Sequence, residues 1–262
     1  MSFTDNYASF QGKLYLAKRS SAGVNQAFRY LGNVPAGELA LNVERRKHQE
    51  STTGKRLVDK IQTTTKAGRV KLTLEDIHKK NVALCFGGAN VTLASGSYSG
   101  SNYDTFASGL VVGDIVKLTK PVASSIVVKD SAGSPATLVL NTDYKILDAK
   151  HGLIEILSLG SYTQPFRAQY SYAQTEAVTA YEAGDDDEYF LYCALVNTEA
   201  SPDQAIGIEI YRIVFDPAAA TQLINNEQGS FPIEAEVLRD STRADDTNYG
   251  GFFRWLFNDA NA

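Results

Sequence analysis

The stretch from Glu38 to Leu74 constrains what this chain can fold into more than any other. In Glu38-Leu39-Ala40-Leu41-Asn42-Val43-Glu44, Leu39, Leu41 and Val43 alternate with Glu38, Asn42 and Glu44. A period of two puts the apolar residues on one face of a strand and the polar ones on the other. Apolar residues stop at Arg45-Arg46-Lys47-His48-Gln49-Glu50, and Ser51-Thr52-Thr53-Gly54 supplies a turn. From Lys55 to Leu74 the chain is rich in Thr and β-branched residues, and Val70, Leu72 and Leu74 restore the apolar face. The pattern predicts one strand going out, a turn near Gly54 and a strand coming back. Leu39, Leu41, Val43, Val70, Leu72 and Leu74 are its expected anchor in the core, and its tip is expected to be polar.

Between Glu44 and Lys60 the tip carries Arg45, Arg46, Lys47, Lys55, Arg56 and Lys60 against Glu44, Glu50 and Asp59. That is a cationic excess within a chain of net charge -5. A strand pair without an apolar face is not held by its own core. The tip reads either as a solvated loop or as an arm that orders against an acidic surface of another subunit; the clustering of cations favours the arm.

Elsewhere the pattern is mainly β. Lys13–Lys18 alternates as a short strand behind a polar arm at residues 1–11. A helix is expected over about 74–87, capped by Thr73 with Asp76 three residues on and closed by Gly87-Gly88. Gly96–Gly109 reads as a linker. Strands follow at close spacing over Asp114–Leu118, Ser125–Lys129, Thr137–Leu140, Tyr144–Leu147, Leu153–Ile156 and Arg167–Tyr172. This β lobe at 110–175 is either integrated in a single domain spanning 1–262 or a decoration on it, with integration favoured. Gln174–Glu188 reads as a polar linker ending in an acidic run. Tyr189–Val196, Ile206–Phe215 and Phe231–Leu238 are strong strands. Phe252–Phe257 is apolar on both faces and reads as a strand buried on both, in the core or against a neighbouring subunit, with the core favoured.

Chemistry is sparse. His48, His78 and His151 lie in three different elements, with no second histidine or cysteine at ligand spacing. Cys85 and Cys193 read as small buried hydrophobes. No nucleophile-elbow serine, dinucleotide fingerprint, phosphate loop or EF-hand loop is present. No catalytic, metal or cofactor-binding residue is assigned, and an enzyme is not expected. The acidic balance argues against a nucleic-acid reader. No apolar run reaches the ~18–20 residues of a membrane helix, and the N-terminus lacks a signal-peptide pattern, so synthesis in a cytoplasm is expected.

Several segments together resemble a known family. They are Gly12-Lys13-Leu14-Tyr15-Leu16-Ala17, Leu31-Gly32-Asn33-Val34, the strand pair with its charged tip, and Leu74-Glu75-Asp76-Ile77 through Asn81-Val82-Ala83-Leu84 to Gly87-Gly88. Leu140-Asn141-Thr142-Asp143-Tyr144, Gly152-Leu153-Ile154 and Ala168-Gln169-Tyr170-Ser171-Tyr172 are similar to a strand-turn-strand pattern of phage tail proteins. The whole resembles the major tail tube protein of long-tailed (siphophage-type) bacteriophages, over most of the first 175 residues.

That resemblance implies a tail-tube-type β-sandwich or barrel with one helix, forming homohexameric rings that stack into the virion's tail tube. DNA would pass non-specifically through the lumen during ejection. The partners would be other copies of the chain and the tape-measure, tail terminator and tail-tip proteins, with no cofactor and no membrane insertion. The family's long loop, here about Arg45 to Lys60, would reach the adjacent ring. The alternative is a β-sandwich binding module of a phage tail, an adhesin or carbohydrate binder, displaying Tyr98, Tyr103 and Phe106.

Overall fold

In the computed structural model, residues 7–258 are described except 53, 183, 185, 186, 200–203, 219, 227 and 244–246. The chain is mainly β and divides into two compact units, one of residues 1–90 and 178–262, the other of Val91–Ala177. In chain order the first unit opens with β1 (Phe10–Lys18), β2 (Arg29–Tyr30), β3 (Ala36–Gln49), β4 (Val58–Leu74) and helix α1 (Lys79–Cys85). The connecting strand β5 (Ala89–Leu93) leads into the second unit. That unit holds β6 (Gly96–Tyr98), β7 (Asp104–Thr105), β8 (Ile115–Lys117), β9 (Ala123–Lys129), β10 (Tyr144–Asp148), β11 (Leu153–Ile156) and β12 (Arg167–Tyr172). The chain returns through β13 (Thr175–Thr179), which pairs with β5, and completes the first unit with β14 (Tyr189–Asn197), β15 (Gln204–Asp216), β16 (Phe231–Val237) and β17 (Phe253–Phe257).

The first unit is built on an eight-stranded sheet in the order β2-β1-β14-β15-β16-β4-β3, with β17 also paired to β15. Alternation decides its faces. Leu14 and Leu16 of β1 sit opposite Cys193 and Leu191, which in turn sit opposite Ile208 and Ile210, so all six share one face. A register shift between Tyr189 and Leu191 then changes the parity of β15. Ile213 joins Ile210 in the main core, while Tyr211 turns to the other side and packs with Ala17 and Phe190. Val70, Leu72, Leu74, Ile233, Ala235 and Val237 continue the core across β4 and β16.

The opposite face carries two polar devices. Where Tyr211 lies, Arg243 stacks on the rings of Tyr211 (4.5 Å) and Tyr249 (5.2 Å). The side chain of Arg19, 3% exposed, donates to the Asp240 carboxylate at 3.0 Å and to the Tyr211 carbonyl. Along β4 and β16 the face is an exposed ion-pair ladder. Arg69 meets Glu234 at 2.7 Å, Glu236 at 3.2 Å and Asp216 at 3.4 Å, and Lys71 meets Glu234 at 3.2 Å.

The second unit has its own core, with every buried member between Phe106 and Tyr170. Sheets β10-β11-β8 and β6-β12-β7, the latter with β9 on β12, enclose Phe166, Ile154, Ile156, Leu138 and Val128. Buried Asp104 holds this core's polar groups, accepting from Tyr170 Oη (2.6 Å), Thr119 Oγ1 (2.7 Å) and the Thr119 amide (2.7 Å).

Several expectations are corrected. The second unit starts at Val91 rather than near 110 and has its own core. Gly96–Gly109 is not a bare linker: β6 and β7 pair with β12, and Phe106 is buried. Thr137 and Leu140 make only isolated bridges, although Leu138 is buried. The helix is shorter than 74–87. Thr73 stays in β4 between Ala36 and Pro232, and the Glu75 amide donates to the Asn33 carbonyl. The cap is His78, whose Nδ1 accepts from the Lys80 amide at 3.3 Å. Of the N-terminal arm, residues 1–6 lie outside the described residues, while Phe10 and Gln11 already belong to β1.

Candidate assembly interface

The register of β4 locates the site. Its residues Gly68–Leu74 lie between β3 on one side and β16 on the other. Beyond Gly68 only the pairing with β3 continues, from Asn42 opposite Ala67 to Gln49 opposite Val58. The strand pair therefore runs past the sheet as a two-stranded ribbon, about 26 Å of it along Asn42–Gln49 at ~3.3 Å per residue. Two register shifts, at Glu44/Arg45 and His48/Gln49, give it local twist. The tip closes through the Glu50 amide and the Leu57 carbonyl (2.8 Å), with Gly54 and Arg56 at φ 74° and 52°. Thr53 of the expected turn lies outside the described residues. His48 Nδ1 lies 2.6 Å from Asp59 Oδ1, and that hydrogen bond holds the carboxyl below its usual range.

Every described residue of β3 beyond Ala40, and of β4 up to Ala67, is exposed. Arg45, Arg46, Lys47, Lys55, Arg56 and Lys60 are all on this exposed segment, as expected.

Four of the six expected anchor residues reach the core. Val70, Leu72 and Leu74 are buried and Leu39 packs against the core, but Leu41 is 63% exposed and Val43 43%. The reason is sheet position. Both lie on the core-facing side of β3, Leu41 level with the end of β16 and Val43 beyond it, and among the described residues neither is covered by a second layer. A polar tip is corrected too, because Leu57, Val58 and Ile61 on the returning strand are exposed. Ile61 sits opposite Lys47, which shares the parity of Leu41 and Val43. The core-facing side of the ribbon thus carries an uncovered apolar stripe among cations.

At the ribbon's base the same face opens into a groove of about 430 Å³. Phe10, Leu39, Leu41, Leu195, Phe253 and Trp255 are among its walls. The expectation that Phe252–Phe257 is buried on both faces fails here. β17 pairs with β15 alone, leaving Trp255 41% and Phe257 63% exposed. Phe10 closes edge-on against Trp255 at 5.9 Å between ring centroids. Two apolar-lined edges of one sheet, the long β3 and the short β17, are therefore unpaired on their outer sides among the described residues. Uncovered edges and an uncovered apolar stripe are features that association removes from water.

The remaining candidates are structural. His151 pairs with Asp148 at 2.5 Å in a turn, and His78 caps α1. Cys85 and Cys193 are buried and free, and burial pushes their thiols up to about 11 and about 12. Of the acidic run, Asp185 and Asp186 lie outside the described residues, whereas Asp187 pairs with Lys18 (2.5 Å) and Glu188 with Arg212. Among the described residues no cluster of His, Cys, Asp or Glu could hold a metal ion. Among the described residues no helix is long and apolar enough to cross a membrane. The aromatics a glycan binder would display are engaged: Phe106 is buried, Tyr98 packs on Tyr170 (5.2 Å), and Arg167 covers Tyr103 (4.6 Å).

Fold and site together define a two-unit, mainly antiparallel β protein with open sheet edges and a projecting ribbon. A family model described as "Protein of unknown function UCP028589" matches residues 7–256, and the chain belongs to that family. No curated protein matches it.

Proposed function

We propose that this chain is the self-assembling subunit of a tube, the tail tube of a long-tailed phage, in which hexameric rings stack around a channel for DNA. The observation that carries this reading is the ribbon. It extends past its own sheet with cations at its tip and an apolar stripe, Leu41, Val43 and Ile61, that its own chain leaves in water. An isolated two-stranded ribbon is marginal in water, so such an arm suits a contact with another copy. The open edges of β3 and β17 suit lateral pairing of sheets between copies. A contact that does not close on itself along one axis gives a filament, which matches stacked rings. An acidic chain that spends many of its cations on such contacts suits a lumen that does not retain phosphates.

Purified chain should form rings or tubes visible by negative-stain microscopy, and a species that stays monomeric at every concentration would exclude the proposal. In a second arm of the experiment, an Asn-Gly turn replaces Arg46–Gln62, joining the paired residues Arg45 and Thr63. This variant should keep its fold and lose tube growth. Tubes of normal length from it would show that the ribbon is not the joint.

A further inference from the structure

The first unit holds a second concavity, of about 700 Å³, whose walls include Phe28, Arg29, Lys80, Tyr181, Tyr189 and Phe215. Its arginine is held from behind by a built arrangement. Asn81, 1% exposed, donates through Nδ2 to the Leu31 carbonyl (2.8 Å) and the Asp76 carbonyl (3.1 Å). Those two bonds turn its Oδ1 toward Arg29, which donates to it from Nη1 at 2.6 Å. Among the described residues the only other acceptor is the Lys80 carbonyl, 3.5 Å from Nη2.

Both acceptors are neutral. Among the described residues, no carboxylate lies within ion-pair distance of this guanidinium, and Asp76 acts on it only at longer range. Burial accordingly pulls the Arg29 pKa down, the sign of a cation removed from water without a counter-ion. The other charges in the walls do not compensate it. Lys18 is matched by Asp187 at 2.5 Å, while Lys80 and Glu182, which also line the cavity, are exposed to solvent. A half-buried, pre-oriented guanidinium with N–H groups to spare is a fork for a carboxylate. The aromatic side chains beside it and the room for a side chain give such a carboxylate a concave seat.

We propose that this cavity receives a carboxylate side chain from a second copy of the chain. The inference rests on the self-assembly reading and adds a contact separate from the ribbon. A second copy is favoured as the source by charge complementarity: the chain has 30 Asp and Glu against 25 Lys and Arg, and Arg29 is a cation that its own described carboxylates leave unmatched.

The test uses full-length protein. Arg29→Gln should melt within a few degrees of wild type but raise the concentration needed for assembly by at least about tenfold, with Arg29→Lys between the two. N-acetylglutamate should raise the wild-type threshold and leave that of Arg29→Gln unmoved, whereas N-acetylglutamine should act on neither. Arg29→Gln assembling at the wild-type concentration overturns this socket and leaves the self-assembly reading intact; wild-type chain that never assembles overturns both. Should Arg29→Gln fail to fold, the competition on wild-type protein decides, and no effect of N-acetylglutamate refutes the socket.

Discussion

The double substitution Leu41→Ser/Val43→Ser separates what the ribbon does for its own subunit from what it does between subunits. Leu41 is 63% exposed and Val43 43%. With full burial worth ~2 kcal/mol for Leu and ~1.5 kcal/mol for Val, the parts already covered within the subunit contribute about 1.5 kcal/mol together. For a chain of this size, that loss lowers Tm by roughly 3–6 °C. The uncovered parts are worth a further ~2 kcal/mol per subunit if a neighbouring copy covers them. A loss of that size raises the assembly threshold about 30-fold, at tenfold per ~1.4 kcal/mol. Sedimentation velocity over a concentration series reads the second quantity and calorimetry on the unassembled protein reads the first. Leu72→Ala is the contrast: Leu72 is buried, so this variant should lose about 2–5 kcal/mol of subunit stability. The reasoning is refuted if the Leu41/Val43 variant assembles within threefold of the wild-type threshold.

Four other outcomes are expected. Asp240→Ala removes the carboxylate facing the buried Arg19 guanidinium and should cost about 3 kcal/mol in denaturant melts, because the remaining charge stays buried. Cys85 and Cys193, buried and with raised pKa values, should resist a thiol reagent at pH 8 and react fully only on unfolding; rapid labelling of native protein would contradict their placement. Hydrogen bonds from Arg69, then Lys71, hold Glu234 below the usual carboxylate range. Its contribution to stability is therefore present above the ordinary Glu pKa and lost as pH falls through the lowered value. Wild type should thus lose Tm below about pH 4.5 more steeply than Glu234→Gln, and parallel curves would refute the link. Residues 91–177 expressed alone should unfold in one cooperative transition, since the buried members of that core all lie between Phe106 and Tyr170.

Much of the strand content was legible because alternation is a local property. Ile206, Ile208 and Ile210, or Leu39, Leu41 and Val43, announce one face of a strand whatever surrounds them. The boundaries that went wrong are those that distant partners decide. Thr73 carries the marks of a helix cap, yet two ladder partners keep it in β4 and hand the cap to His78. Gly96–Gly109 is poor in aliphatics, yet β12 supplies a template for two short strands within it. The Arg29 cavity left no trace in the pattern, because Leu31, Asp76, Lys80 and Asn81 come together only through the packing of α1.

By itself, the sequence determined that the chain is mainly β, that Glu38–Leu74 is an out-and-back strand pair with a cationic tip, and which of its residues share a face. Tertiary structure decided whether that face is covered. Alternation orders side chains about a strand's own axis and carries no information about what lies opposite. Coverage depends on β16 stopping opposite Gly68. Val70 and Leu72 fall on the near side of that point and are core; Leu41 and Val43, with the same pattern, lie at and beyond it and are surface.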